Sequence, residues 1–159
     1  MTRIKCAQRN LMITVIIQKV SNIRNLPTKQ QFITWVMIAL AKSRRQGELL
    51  IRIVDTDEMT ELNRQYRKKS GPTNVLSFPF NPSPLAPDDS LGDIVLCAPL
   101  IKIEAKAQQK KGLSHWAHLT IHGTLHLLGF DHMTPKNAAT MEQLEIAYLD
   151  QLGFDNPYI

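Results

Sequence analysis

The sequence predicts an α+β fold, a small mixed four-stranded sheet packed against several helices in a single domain. Three observations predict it. Short Val/Ile-rich runs occupy the first two-thirds of the chain. Helical periodicities fill the last third. A chain of 159 residues, 43% hydrophobic and 21% charged, suits one ordinary soluble core and excludes a disordered chain.

Taken in order, Arg3, Lys5 and Arg9 before the apolar run from Leu11 to Ile17 imitate a secretory signal. The run is short and β-branched, leads into Gln18 and Lys19, and lacks a small-residue cleavage site. It reads as the first strand, over 12–20, with residues 1–11 as a disordered extension, 12–159 as the domain, and Met12 as an alternative start to Met1. Thr28 is a plausible N-cap for a helix carrying Phe32, Trp35, Val36, Ala39 and Leu40, which Gly47 terminates. The alternating segment 49–54 is the second strand, and Thr56 caps a short helix to about Tyr66. A basic Gly/Pro loop over 67–73 precedes the third strand at 75–80. Pro82, Pro84 and Pro87 mark 81–89 as a mobile loop, and 93–97 is the fourth strand. Three helices follow, from Pro99 to about Lys111, over 115–128 up to Gly129, and over 136–152 with Met141, Leu144, Ile146, Tyr148 and Leu149 among its apolar positions.

Charge is unevenly placed. Residues 1–70 carry 14 Lys/Arg against 5 Asp/Glu, whereas 71–159 carry 5 against 9, so the first half is the candidate surface for phosphates. Cys6 and Cys97 are too few for a disulfide framework, which suits a reducing cytosol. No stretch approaches the roughly 20 apolar residues of a membrane span.

All five histidines lie between His115 and His132, and within that segment stands His122-x3-His126-x2-Gly129-x2-His132. Residues i and i+4 share a helix face, so His122 and His126 can share an ion. A continuing helix would carry a third ligand ten residues on about 15 Å away. Gly129 therefore stands where a left-handed cap folds the chain back and brings His132 to the ion. Three histidines leave a fourth position open, as at catalytic zinc sites. His118 lies on the same face, but about 12 Å from His126 along the axis, too far for one ion with bonds of about 2 Å. His115 and His118 are read as supporting, RNA-facing or packing residues.

Zinc peptidases with related spacing place a Glu base after the first histidine. Here that position is Gly123, and Asp131 either orients a histidine or caps the turn after Gly129. The segment 62–78 instead favours phosphate chemistry, with Arg64, Arg67, Lys68 and Lys69 ahead of a Gly-Pro turn. A helix-end dipole accounts for Arg64 and Lys69 more readily than for Arg67, which begins the loop.

The runs LNRQYRKKSGPTNVLSFPF, LGDIVLC and HWAHLTIHGTLHLLGFDH, with the closing LGFDNPYI, resemble in content, order and spacing the blocks of the bacterial YbeY family of metal-dependent endoribonucleases. The similarity spans roughly residues 12–159. It implies zinc on His122, His126 and His132, one ion per chain, Arg67 as the active-site arginine, and Ser77 near the cleft. Asn74 stands where many relatives have Asp, so no catalytic role is assigned to it. The resemblance further implies a cytoplasmic enzyme acting on rRNA, in 16S 3′-end maturation and quality control of the small ribosomal subunit, with no DNA or membrane partner. The expected chemistry is hydrolysis of single-stranded RNA, with Arg67 on the scissile phosphate and Lys68 and Lys69 steering the strand. The attacking group is either water or the RNA 2′-OH. Two competing readings are a zinc hydrolase of peptides or small molecules and a non-catalytic ribosome-assembly factor with a structural metal.

Overall fold

The computed structural model describes residues 2–6, 11–80 and 90–159. In chain order these are β1 (Thr2–Cys6), β2 (Leu11–Lys19), α1 (Lys29–Ala39), β3 (Gly47–Val54), α2 (Thr56–Arg67), β4 (Val75–Pro79), β5 (Ser90–Cys97), α3 (Ala98–Ala107), α4 (Gly112–Leu127) and α5 (Pro135–Gln151). All four strands expected from the sequence are present, and β1 adds a fifth. The sheet runs β1-β2-β3-β5-β4, with β2, β3 and β5 parallel and antiparallel strands at both edges. The extension read at 1–11 is described at 2–6, where the backbone pairs with β2, and at Leu11, the first residue of β2. The Pro-rich segment 81–89 lies outside the described residues.

Strand alternation sorts the apolar side chains onto two faces. Leu49, Ile51, Ile53, Ile94 and Leu96 join the main core with Phe32, Val36, Trp116, Ile121 and Leu125 from α1 and α4. On the opposite face Val54, Val95 and Cys97 pack with Met59 of α2. The central helix α4 is thus clamped between α1, α5 and the sheet, which makes it a rigid mount for side chains at its C-terminal end.

The first helix ends at Ala39, well short of Gly47, which instead opens β3, and β5 begins at Ser90 rather than at 93. Three other element ends differ from expectation for local reasons. Asp55, not Thr56, occupies the N-cap of α2, and no side chain caps its first turn. The Asp55 carboxylate accepts instead from Ser21 Oγ and from the Asn22 N–H (3.1 Å), in the loop after β2. At the end of α3 the chain turns at Gln109 (φ 53°), whose N–H donates to the Lys106 carbonyl while Lys110 N–H donates to Ala105. This is a helix-stop normally made by glycine, so α3 ends at Ala107 rather than near Lys111. The next helix, α4, correspondingly begins at Gly112, three residues before the expected start.

One glycine fixes how the sheet meets α4. At Gly92 (φ +124°) an added Cβ would fall 2.5 Å from the Phe78 carbonyl oxygen and 2.8 Å from Leu127 Cδ2. Both the backbone angle and the contact exclude a side chain there, so β5, β4 and the end of α4 can close on one another.

Candidate active site

The C-terminal half of α4 presents His122 and His126 one turn apart. Their Nε2 atoms face each other at 3.1 Å and their rings stand 4.6 Å apart. Beyond Leu128 the helix stops at Gly129 (φ +97°): the Gly129 N–H donates to the His126 carbonyl and the Phe130 N–H to Leu125. This two-bond left-handed cap turns the chain so that the His132 ring comes within 5.1 Å of His126 and 5.7 Å of His122, centre to centre. One ligand nitrogen from each of the three lies within 4.8 Å of the others. Arg45 adds a tie from outside the motif, donating from Nη1 to the Leu127 carbonyl at 2.6 Å, which satisfies an end-of-helix acceptor.

The chemistry of this donor set fits a metal ion. His122 Nδ1 donates to Glu145 Oε1 at 2.5 Å, so its Nε2 lone pair points at the cluster. Burial, then the neighbouring His122 and His132, pull the His126 pKa down to about 4, which holds its imidazole neutral. Three imidazoles that can each turn a ring nitrogen toward one point are a donor set suited to a divalent cation.

Glu145 is the residue that sequence reading overlooked. It lies on α5, completely buried, with a His on each of two sides: His122 as above, and His118, whose Nε2 is 3.5 Å from Oε1. The Tyr158 hydroxyl donates to its other oxygen and is also 3.3 Å from His118 Nε2. Burial alone would raise the Glu145 pKa, and it is the largest single influence. Hydrogen bonds from His118 and His122, the electrostatic attraction of His122 and the Tyr158 hydrogen bond together outweigh it and bring the carboxyl to about 2, ionised and fully engaged. Its signal in the sequence was positional. Glu145 stands four residues after Met141 and four before Leu149, both buried, where an acid has no place in an apolar stripe. Tyr158 had no local signal. It arrives through the tail, which Lys110 Nζ holds by the Pro157 carbonyl at 2.8 Å.

The remaining expected residues divide. Arg67, Ser77 and the three histidines line one cleft of about 670 Å³, together with Tyr66. The Tyr66 ring is 58% exposed and meets Phe78 edge to face at 5.1 Å. Ser77 Oγ donates to the Gly123 carbonyl at 3.1 Å, so its proton is already engaged with the backbone of α4. Gly123 is itself a packing position, because a Cβ there would meet Ile94 Cγ2 at 3.0 Å and Ser77 Oγ at 3.2 Å. Asp131 accepts from Met133 N–H and Asn137 Nδ2, each at 3.0 Å, and so caps the turn rather than orienting a histidine. Asn74 donates from Nδ2 to Glu104 at 3.1 Å, and the same carboxylate takes His115 Nε2 at 2.7 Å. An amide can make that contact and an ionised Asp cannot. Lys68 and Lys69 do not line the cleft. Lys68 takes the left-handed conformation (φ 57°) that ends α2. The loop behind it is held by Asn63 Nδ2 on the Gly71 carbonyl at 2.8 Å.

Comparison with known proteins converges on one family. The model described as "Endoribonuclease YbeY" matches residues 13–153. Proteins of that description from Coxiella burnetii strains Dugway 5J108-111 and RSA 493 / Nine Mile phase I are each 48% identical over 150 residues, covering 92% of this chain and 99% of theirs. The solution structure of TM1509 from Thermotoga maritima superposes with a TM-score of 0.62 at 23% identity, over 87% of this chain and 89% of that one, a likeness of fold.

Proposed function

Because this chain belongs to the endoribonuclease YbeY family, we propose that it is a zinc-dependent, single-strand-specific endoribonuclease that cuts RNA in the cleft between α4, β4 and the end of α2. The observation that carries this reading is the convergence of His122, His126 and His132 beside Arg67 in that cleft. An all-imidazole set with no cysteine suits zinc. Within the described residues no helix is long and apolar enough to cross a membrane. The family supports rRNA as substrate, 16S 3′-end maturation and small-subunit quality control as the setting, and the cytoplasm as the location. DNA is not expected as a partner.

A divalent ion held by the three histidines supplies Lewis acidity toward water or a phosphate oxygen. The protein's own groups do the rest. Glu145 fixes the His122 tautomer and ring orientation, with Tyr158 and His118 holding the carboxylate in turn. Arg67, the last residue of α2, receives the scissile phosphate and offsets charge that builds on it. The exposed Tyr66 ring gives an unpaired base a face to stack on, which a duplex cannot use. Lys68 and Lys69, exposed on the loop, attract the strand. The peptidase reading loses ground, because position 123 carries no carboxylate and a Cβ there would press on Ile94 Cγ2 at 3.0 Å and Ser77 Oγ at 3.2 Å.

The test is to incubate zinc-loaded protein with a single-stranded rRNA 3′ fragment, with the same sequence in a duplex, and with casein. Cleavage of the single strand alone is expected, and casein hydrolysis without RNA cleavage would overturn the assignment. End-group analysis separates the two routes: 2′,3′-cyclic phosphate products indicate attack by the 2′-OH, whereas their absence under conditions that preserve them indicates water.

Glu145→Gln removes the charge but keeps the shape. Zinc affinity, read by competition with a chromophoric chelator, should fall about 10- to 100-fold, the usual cost of losing a metal-histidine's carboxylate partner. Unchanged affinity would reduce Glu145 to a packing residue.

A further inference from the structure

The other end of α4 borders a second cavity of about 450 Å³, enclosed by α3, the start of α4 and the loop between β2 and α1. Ile23, Leu26 and Leu113 give it accessible apolar surface over a buried floor of Ile101, Ala105 and Trp116, and Arg24, Lys102 and Lys106 stand beside it. Among the described residues no acidic side chain lines the cavity. None of these three cations has a hydrogen-bond or ion-pair partner among the described residues, in contrast to Lys110, which is committed to the Pro157 carbonyl. Lys102 and Lys106 are an i,i+4 pair on α3, an arrangement of like charges that costs helix stability. The N-terminus of α4 opens on the same cavity at Gly112 and has no side-chain cap, which adds positive potential. Accessible apolar surface flanked by uncommitted cations complements a base with its phosphate.

We propose that this cavity is a second RNA-binding site, holding a nucleotide of the substrate strand away from the scissile bond. The base lies against Ile23, Leu26 and Leu113, and the phosphate meets Arg24, Lys102 and Lys106. The inference rests on the reading of RNA as the substrate. Trp116 precedes His126 by ten residues, about 15 Å along the helix axis, so only a strand longer than the catalytic cleft can engage both sites. Such a strand gains affinity from the second contact by effective concentration.

The test compares Lys102→Glu/Lys106→Glu with wild type on a fluorescein-labelled uridine tetranucleotide and a uridine twenty-mer, reading binding by anisotropy and cleavage on gels. Both lysines are exposed, and Lys102→Arg/Lys106→Arg serves as the charge-conserving control. The charge reversal should weaken binding of the twenty-mer about tenfold or more and flatten its salt dependence. Tetranucleotide cleavage should stay within about twofold of wild type, since one cleft suffices for it, and the Arg pair should retain long-strand binding. Equal losses on both lengths would mean a diffuse field effect and overturn the site, as would an unchanged twenty-mer. Displacement of the twenty-mer by polyglutamate as effectively as by unlabelled RNA would overturn the base contact. Failure of the wild type to bind or cleave either oligonucleotide would sink the RNA reading itself, and this inference with it.

Discussion

His126→Ala is expected to lose metal and RNA cleavage together. Elemental analysis should fall from about one zinc per chain to background, and turnover should drop on the order of 1,000-fold or more, because several kcal/mol of Lewis-acid stabilisation goes with the ion. His126 sits at the centre of the trio: its Nε2 is 3.1 Å from that of His122 and its ring is the nearer of the two to His132. Removing it leaves two donors on opposite sides of a gap, one of them on the turn after α4. The fold should survive, since the imidazole is only half-buried and the apolar contacts of α4 lie on Ile121, Leu125 and Leu127. His118→Ala is the informative contrast. His118 lies edge to face beside the His122 ring at 6.3 Å and reaches Glu145 and Tyr158, but is not one of the three converging donors, so its loss should weaken zinc binding without abolishing it. Full metal content and normal cleavage in His126→Ala would remove the cluster from the mechanism.

What could be read from the sequence divides by distance along the chain. The trio was legible because two of its members are one helical turn apart and Gly129 signals the reversal that delivers the third, all within eleven residues. The four main strands were legible from β-branched runs, and the order of strands before helices implied the architecture. Features that depend on meeting across the fold were not. Glu145 reaches His122 from a different helix, and Tyr158 reaches Glu145 from the tail. Ser77 carries a polar side chain on a strand, and only the close approach that Gly123 allows reveals its carbonyl partner. Local chemistry misled where a competing tertiary bond won. Thr56 looked like a cap, but Asp55 holds that place while bonding Ser21. Gln109 takes a left-handed turn for which glycine is the usual signal. The second cavity was illegible for the same reason, since Arg24, Lys102 and Trp116 come from three separate elements.

Arg67→Ala should keep both fold and zinc yet lose most cleavage, about 100- to 1,000-fold in kcat/KM, the scale set by removing one donor aimed at developing charge. The neighbouring arginines are already committed. Arg64 pairs with Glu61 at 2.5 Å, and Arg52 with Glu58 at 2.6 Å. Arg67 ends α2, is exposed, lines the cleft with the histidines, and has no carboxylate partner among the described residues. A helix-end cation that merely offset the C-terminal dipole would contribute a few tenths to about 1 kcal/mol of stability and nothing to turnover. The two roles therefore predict opposite readouts, a lowered melting temperature with normal rate in one case and a normal melting temperature with a collapsed rate in the other. Arg67→Lys sharpens the distinction. It preserves the charge that the dipole needs but not the planar fork that grips two phosphate oxygens, so a phosphate-binding role leaves this variant well below wild type while a dipole role restores it fully. Near-normal turnover in Arg67→Ala, measured on single-stranded RNA with zinc content verified, would exclude Arg67 from the chemistry and leave the cleft, among the described residues, with no arginine or lysine to hold the phosphate.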